Sequence, residues 1–228
     1  MGEQRVLSDS TTTITVRRAA RARRISLRVS RLDGRVTLTM PMRTPLDEAL
    51  SFAEERLDWI AEARSDVGAA VTVAHGSVVP IEGTDTQVFA GSDRRVQRDG
   101  DRLLVRGPQV GRAVQSYLKA LARDRLAAAS DHHAAALGQR FSKLTLRDTR
   151  SRWGSCTSQG NLMYSWRLIL APPEVLDYVA AHEVAHLVHM DHSPAFWRVV
   201  EGRCPAWQDH RDWLRRNGPR LHRYRFDD

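Results

Sequence analysis

The stretch His182-Glu183-Val184-Ala185-His186 decides how the C-terminal half of the chain folds. It lies in a segment with helical spacing, which we predict to run from about Glu174 to Met190 after the helix-starting pair Pro172-Pro173. A four-residue step advances a helix by about 400°, so both imidazoles project from one face. Two nitrogens placed in this way can bind one zinc ion at about 2.0–2.1 Å. Glu183 lies about 100° round the helix, where its carboxylate can act as a base without being a ligand.

A third protein ligand is expected, because a catalytic zinc usually has three and keeps one position open. The candidates in the sequence are His189, Asp191, His192, Glu201 and His210. His189 is a poor choice, since seven helical residues from His182 correspond to about 10 Å of rise. His192 is better placed, because a cap followed by proline at Ser193-Pro194 predicts that the chain turns there. We therefore predict that His182, His186 and His192 bind zinc and that Glu183 is catalytic, with Asp191 and Glu201 as alternative third ligands.

The step from His186 to His192 also matches the metzincin pattern H-E-x-x-H-x-x-G-x-x-H. His189 occupies the glycine position of that pattern, where a left-handed turn would strain any residue with a Cβ. No methionine follows His192 in the sequence. A true metzincin is therefore not predicted.

The composition is that of a folded soluble protein: 228 residues, 42% hydrophobic and 27% charged. No apolar run approaches the roughly 18 residues that would span a bilayer, and the first residues lack the apolar stretch of a secretory signal. We therefore expect a cytoplasmic protein without a membrane contact. Cys156 and Cys204 are too few for a disulfide framework and are expected to be free, buried thiols.

The net charge of +8 is concentrated in two arginine clusters. The first comprises Arg17, Arg18, Arg21, Arg23, Arg24, Arg28 and Arg31, and the second comprises Arg211, Arg215, Arg216, Arg220, Arg223 and Arg225. Such clusters predict weak contact with polyanions or nucleic acid, and a solvated surface is the alternative. The expected main partner is a peptide or protein substrate.

The pattern along the chain predicts an α+β fold, with a mostly β N-terminal part followed by a zincin-like helical catalytic half that carries the metal site on a helix. The expected N-terminal elements are a hairpin around Asp33-Gly34, one helix over 46–64 after Thr44-Pro45, short strands over 71–106, and a helix over 112–137 that ends at Gly138. The expected C-terminal elements are strands over 143–147 and 161–166, the metal-site helix, a helix after Ser193-Pro194, and a last helix from Pro205 to a stop at Asn217-Gly218-Pro219. The domain organisation predicted is a polar tail over 1–20, a single domain over 21–220 (21–110 mostly β with one helix, 111–220 catalytic), and a basic tail over 221–228.

Several motifs of the C-terminal half resemble the YgjP-like metal-dependent hydrolases, which are zincin-like and more distantly similar to SprT-like and WLM-type proteases. The motifs are Arg152-Trp153-Gly154-Ser155-Cys156, Trp166-Arg167-Leu168, Ala171-Pro172, Asp177-Tyr178-Val179, His192-Ser193 and Phe196-Trp197. They cover about residues 150 to 215, and Arg21, Arg24 and Trp59-Ile60 resemble the family more loosely. Ser165 and Val184 depart from the usual residues but touch no proposed ligand. The resemblance implies a zincin-like catalytic half with zinc on the three histidines. It leaves the Trp153–Cys156 loop either shaping the cleft or packing as a tight turn.

Three functions fit these residues. In the first, zinc activates a water, Glu183 accepts its proton, and a peptide bond is hydrolysed. In the second, the metal serves a nucleoside triphosphate pyrophosphatase, although no glycine-rich phosphate loop is present and three histidines are a softer site than Mg²⁺ prefers. In the third, the chain is a non-enzymatic, metal-stabilised nucleic-acid-binding module, in which Glu183 would have no use.

Overall fold

A computed structural model describes residues 3–7, 12–30, 34–65 and 69–227. The chain forms two compact units, Met1–Ala69 and Ala70–Asp228. Helices and strands are both present and the N-terminal half is rich in strands, so the predicted α+β class is confirmed. Compactness of two units is not a test of independent folding, and the single domain over 21–220 stays a prediction.

The first unit contains a four-stranded sheet with the order β1-β2-β4-β3. Its strands are β1 (Glu3–Val6), β2 (Thr13–Arg18), β3 (Ser26–Val29) and β4 (Val36–Met40). β3 and β4 pair antiparallel, as the hairpin prediction required. Gly34 has a φ of 66°, the left-handed conformation that a turn glycine supplies. Asp33, the other residue of the predicted turn, lies outside the described residues.

The predicted polar tail over 1–20 is wrong where the structure describes it. β2 pairs parallel with β4, and its Ile14 and Val16 are buried in the core of the first unit. The intervening threonines made this segment look polar, but threonine is β-branched and favours a strand. An apolar residue at every second position is enough to bury one face of a strand.

The single helix predicted over 46–64 is two helices, α1 (Leu46–Glu54) and α2 (Leu57–Ser65). The Arg56 guanidinium donates a hydrogen bond of 2.9 Å to the carbonyl of Phe52 and lies 3.7 Å from the centroid of its ring. That carbonyl accepts a side-chain donor at the break between the helices. Pro45 occupies the N-cap position, and no side chain caps α1.

The second unit begins with β5 (Val71–Thr72) and a four-stranded sheet of β6 (Val78–Ile81), β7 (Thr84–Ala90), β8 (Gln97–Asp99) and β9 (Arg102–Val105), with the order β6-β7-β9-β8. The strands predicted over 71–106 are therefore confirmed. The long helix α3 (Val110–Ala136) follows, and Gly138 after it has a φ of 63°. This is the left-handed glycine expected beyond a helix end.

Three further strands form a sheet with the order β10-β12-β11. They are β10 (Lys143–Arg147), β11 (Gly154–Cys156) and β12 (Asn161–Ser165), and a 3₁₀ helix (Trp166–Leu170) follows. The helices are α4 (Pro173–Ala185), α5 (Pro194–Arg203) and α6 (Trp207–Leu221). Val114, Leu118 and Leu126 of α3 and Val175 and Val179 of α4 are buried in one core with the 3₁₀ helix. That core fixes the position of α4, which carries the predicted metal ligands.

Two predicted helix ends are wrong. α4 ends at Ala185 rather than near Met190. α6 continues through Asn217-Gly218-Pro219 to Leu221 instead of stopping there. A Cβ added to Gly218 would lie 2.8 Å from Cζ2 of Trp153, so this glycine permits a close approach within the helix.

The predicted basic tail over 221–228 contains a short strand, β13 (Tyr224–Arg225), which pairs parallel with β5. Tyr224 and Phe226 are buried in the core of the second unit. Apolar side chains alternate with arginine here, so one face of the segment packs inward while the charges point away. None of the helices in the described part of the chain combines the length and apolar character needed to cross a membrane.

Candidate metal centre

The end of α4 and the turn after it bring the predicted ligands together. His186 is the C-cap residue, and the next amides, of Leu187 and Val188, bond to carbonyls three residues back at 2.9 and 3.0 Å. The chain then reverses, and Ser193 accepts a hydrogen bond of 3.4 Å from the amide of Phe196 to cap α5. The predicted turn before α5 is therefore present, and it carries His192 back over the end of α4.

The three predicted histidines form one cluster. His182, His186 and His192 each offer a ligand atom, and these atoms all lie within 4.8 Å of one another. Nε2 of His182 is 3.2 Å from Nε2 of His192. Two nitrogens bound tetrahedrally to one zinc at about 2.05 Å are separated by about 3.3 Å. The donor set therefore fits a metal ion, with small side-chain rotations to close the longer separations.

The rings of the cluster are held from outside. Nδ1 of His186 donates a hydrogen bond of 3.0 Å to the carbonyl of His189, which leaves Nε2 of the neutral ring with a free lone pair. The Phe196 ring stacks on His186 with centroids 4.4 Å apart and an interplanar angle of 26°. Among the described residues, Nδ1 of His182 is buried and has no hydrogen-bond partner.

Burial keeps the imidazoles of His182 and His186 neutral, which is the form that binds a metal. Burial, with the nearby charges of His186, His192 and Arg211, lowers the pKa of His182 to about 3. Burial also lowers the pKa of His186, although its hydrogen bond to the His189 carbonyl opposes the shift. These two predicted ligands can therefore accept a cation at neutral pH without first losing protons.

Glu183 is buried beside the histidines, with 6% of its surface exposed. Burial raises the pKa of Glu183 to about 8, and the positive charge of Arg152 acts in the opposite direction. A bound divalent cation would also lower this pKa, because it favours the carboxylate. The carboxyl group is thus in an environment where its charge depends on what occupies the site.

Gly154 of β11 lies against the Glu183 side chain. A Cβ added to Gly154 would lie 2.5 Å from Oε1 and 2.6 Å from Cγ of Glu183. These separations leave no room for any side chain larger than hydrogen. The Trp153–Cys156 segment is a strand over Gly154–Cys156 rather than a loop or tight turn. Both roles that the sequence left open are found, because Gly154 packs on Glu183 of α4 and Trp153 lines the cleft.

A cleft with a volume of about 490 Å³ opens beside the cluster. It is lined by Trp153, Tyr178, Val179, His182, Glu183, Arg211, Asp212, Leu214 and Arg215. The proposed catalytic glutamate and one proposed ligand thus face a space of the size that binds small molecules and short peptide segments.

The other residues considered as third ligands lie elsewhere. Asp191 accepts a hydrogen bond of 3.1 Å from the amide of Ser193, which fixes the turn before α5. Glu201 is exposed, and neither it nor Asp191 joins the histidine cluster in the described residues. His210 lies next to Tyr178, with ring centroids 6.3 Å apart. His189 accepts the hydrogen bond from His186 through its main-chain carbonyl, and its ring is not part of the cluster among the described residues. This agrees with the predicted position of His189 beside the site.

Sequence reasoning missed part of the site. Gly154 was visible within a family-like motif, but its contact with Glu183 was not, because the two residues are far apart in the chain. Arg211 and Arg215 line the cleft, yet in the sequence they are simply members of a basic cluster. Cys156 and Cys204 are free, as predicted; Cys204 is buried and Cys156 is half-buried.

Comparisons with known proteins found a matching family and a similar solved structure. The sequence matches the family model described as "YgjP-like, metallopeptidase domain" over residues 23–217, a range that spans both compact units. No curated protein matches the sequence significantly. The crystal structure of the metallopeptidase zymogen of Pyrococcus abyssi abylysin matches with 22% identity and a TM-score of 0.34, over 40% of this chain and 93% of that chain. A likeness this small carries no argument.

Proposed function

Because the chain belongs to the YgjP-like metallopeptidase family, we propose that it is a zinc-dependent peptidase with Glu183 as its general base. The proposed zinc ligands are His182, His186 and His192. Metal-dependent hydrolysis follows from family membership, whereas the zinc and the residue roles are our proposal. The observation that carries it is the cluster of three imidazoles within 4.8 Å beside a buried carboxyl group in an open cleft.

The donor set favours zinc over magnesium or calcium. Neutral imidazoles suit zinc and other late transition metals, while Mg²⁺ and Ca²⁺ prefer oxygen ligands. When bound, zinc polarises the scissile carbonyl and makes water acidic enough to react at neutral pH. The hydrogen bond from His186 to the His189 carbonyl fixes the ring so that Nε2 points to the metal position.

Glu183 moves the proton in the proposed reaction. Its carboxylate accepts a proton from the attacking water, holds it on one carboxyl oxygen, and donates it to the leaving amine nitrogen. Burial favours the neutral carboxyl that exists between these two transfers, since it raises the pKa of Glu183. Gly154 keeps the side chain in place by contact along Cγ and the carboxyl group.

A peptide substrate suits the edge strand β11. This strand pairs with β12 on one side only, and its Gly154 contacts Glu183. An extended peptide can add to such an edge through main-chain hydrogen bonds, which would lay its backbone beside the glutamate. A nucleoside triphosphate would instead need a phosphate-binding glycine loop, and the sequence contains none.

The proposal is tested with Glu183→Gln and His192→Ala. Glu183→Gln should keep about one equivalent of zinc and lose peptide hydrolysis by about 100- to 10,000-fold, because only the proton acceptor is removed. His192→Ala should lose zinc affinity by more than the roughly 10- to 100-fold that supporting residues contribute, because it removes a direct ligand. Elemental analysis and cleavage of mixed peptides provide the measurements.

Glu201→Ala is the matched control for metal content, because Glu201 is exposed and outside the cluster. It should bind zinc as the wild type does. Full zinc affinity in His192→Ala would disprove the third ligand, and an active Glu183→Gln protein would disprove the base. Wild-type and Glu183→Gln proteins that are equally inert on peptides and nucleotides would favour the binding-module alternative.

A further inference from the structure

The cleft beside the proposed metal position contains two arginines that the proposed reaction does not use. Arg211 and Arg215 lie one turn apart on α6, and both side chains line the cleft with Trp153 and Tyr178. Both are exposed to solvent. Their charge is therefore presented to whatever enters beside the scissile bond.

Arg211 is held in place by aromatic rings rather than by a carboxylate. Its guanidinium carbon lies 5.4 Å from the centroid of Trp197, which stacks on Trp207 with centroids 4.2 Å apart. Trp197 in turn lies 5.6 Å from the His182 ring, so the arginine sits one ring away from a proposed ligand. Among the described residues, no carboxylate forms an ion pair with Arg211. The N–H donors of its guanidinium are therefore available to bind a ligand in the cleft.

The cleft is lined by two arginines and two acidic residues, and one of the acidic residues, Glu183, serves in the proposed reaction. Among the described residues that line the cleft, Asp212 is the only acidic one besides Glu183, and its carboxylate is 3.8 Å from a guanidinium nitrogen of Arg215. A second arginine, Arg216, lies 3.8 Å from the other oxygen of Asp212 but does not line the cleft. Ion pairs of this length on an exposed surface are weak. One acidic group shared between two arginines leaves Arg215 incompletely neutralised.

The charge of Arg211 reaches the interior of the cleft. Burial raises the pKa of Tyr178 to about 12, and the positive charge of Arg211 is the leading effect in the opposite direction. The guanidinium therefore acts on groups deep in the site. An apolar substrate side chain would leave this charge without a partner, whereas a carboxylate would accept two hydrogen bonds from it.

We propose that Arg211, assisted by Arg215, binds a carboxylate of the peptide substrate next to the scissile bond. The group is either an aspartate or glutamate side chain or a free C-terminal carboxylate, since both present the same two oxygens. The position relative to the scissile bond rests on the proposed peptidase function. The carboxylate site itself depends only on the geometry of the cleft.

The test uses zinc-loaded protein carrying Glu183→Gln, so that binding is measured without turnover. The probes are fluorescently labelled eight-residue peptide mixtures with blocked ends, random except for glutamate or glutamine at the central position. Two further mixtures are shortened so that the central residue becomes the last one. The third mixture ends there with a free carboxylate, and the fourth ends there with an amide. Anisotropy gives the dissociation constants, and cleavage of the same mixtures by the wild type is measured in parallel.

We expect one carboxylate mixture to bind about tenfold more tightly than its amide partner. The factor is modest because the arginine is exposed, where a charge-assisted hydrogen bond contributes less binding free energy than it does when buried. Arg211→Gln should remove most of this preference, and Arg211→Lys should restore only part of it. Arg216→Gln is the matched control, as it removes the same charge from the same helix outside the cleft, and it should keep the preference.

The mixture that shows the preference identifies the source of the carboxylate. Equal binding of both carboxylate mixtures and their amide partners would overturn the inference, as would an equal loss in Arg216→Gln and Arg211→Gln. If the carboxylate preference persists in binding but the wild type cleaves no mixture, the proposed peptidase function fails while the carboxylate site stands. If the wild type cleaves the mixtures without a preference for the carboxylate, the carboxylate site fails while the proposed peptidase function stands.

Discussion

Two buried polar centres in the second unit differ in how completely their polar groups are satisfied. Arg167, 6% exposed, donates to both oxygens of Asp148 at 2.7 and 3.1 Å and to the carbonyls of Leu221 and Tyr224 at 3.0 and 3.1 Å. At the metal centre, by contrast, Nδ1 of His182 is buried without a partner in the described residues.

The electrostatics follow this difference. Burial alone would raise the pKa of Asp148, but the hydrogen bonds and charge of Arg167 outweigh it and lower the pKa. For Glu183 burial prevails and raises the pKa to about 8, although Arg152 acts against it. Removing one partner of a satisfied buried ion pair destabilises the fold, whereas a buried group without close partners is kept at a cost in stability for its chemistry. The comparison predicts that variants of the two centres separate activity from stability.

The largest effect is expected for Gly154→Ala at the metal centre. The added methyl group would overlap Cγ and the carboxyl group of Glu183, so the whole side chain must move. Displacing a catalytic group by about 1 Å costs on the order of 100-fold in rate. Peptidase activity should fall by about that factor while zinc content stays near one equivalent, as measured by steady-state kinetics and elemental analysis.

Gly202→Ala in α5 is the matched control, because a Cβ there would meet no atom within 4 Å. It should leave the rate unchanged and increase helix stability slightly. An equal loss of activity in both variants would mean that the contact between Gly154 and Glu183 does not matter for the reaction.

The next effect concerns the satisfied centre. Arg167→Met removes the guanidinium and leaves two main-chain carbonyls and one carboxylate without their donor. Breaking a buried ion pair typically costs about 3–5 kcal/mol, and the low end applies because the Asp148 side chain is 43% exposed. We expect the free energy of unfolding to fall by about 3 kcal/mol in chemical denaturation, with unchanged zinc affinity in the folded protein. A loss of zinc affinity with unchanged stability would mean that Arg167 supports the proposed metal site rather than the fold.

The smallest effect is the pH dependence of stability in metal-free protein. The folded-state pKa of Glu183 is raised from 4.5 to about 8, so its contribution to stability is present below pH 4.5 and is lost as the pH rises through 8. Glu183→Gln removes this dependence. The melting temperature of the variant should therefore rise relative to that of the wild type as the pH increases between these values. Thermal unfolding in the presence of a chelator measures the difference.

The satisfied centre should show the opposite sign. The pKa of Asp148 is lowered in the folded state, so its stabilising contribution is present above the unfolded pKa and is lost as the pH falls. The difference in stability between Asp148→Asn and the wild type should therefore become smaller as the pH falls. Parallel pH profiles for Glu183→Gln and Asp148→Asn would mean that the two carboxyl groups share one kind of environment.

Local patterns predicted much of the site because its main residues are close in sequence. His182, Glu183 and His186 lie within one helical segment, and Ser193-Pro194 marks the turn that returns His192 to them. Helix ends were predicted less well, since tertiary contacts compete with local signals. The glycine and proline in α6 looked like a stop, but the close approach of Trp153 to Gly218 gives the glycine another role.

The sequence by itself determined the α+β class, the helical histidine pair and its neighbouring glutamate, because periodicity and spacing depend on a few consecutive residues. Only the tertiary structure decided which distant residues complete the site. Gly154 meets Glu183 because β11 packs against α4, and Arg211 and Arg215 become part of the cleft because α6 presents one face to it. The affinity of the remaining arginines of both clusters for polyanions stays a prediction. Charge can be read from composition, but the direction in which a charge points depends on how the helices pack.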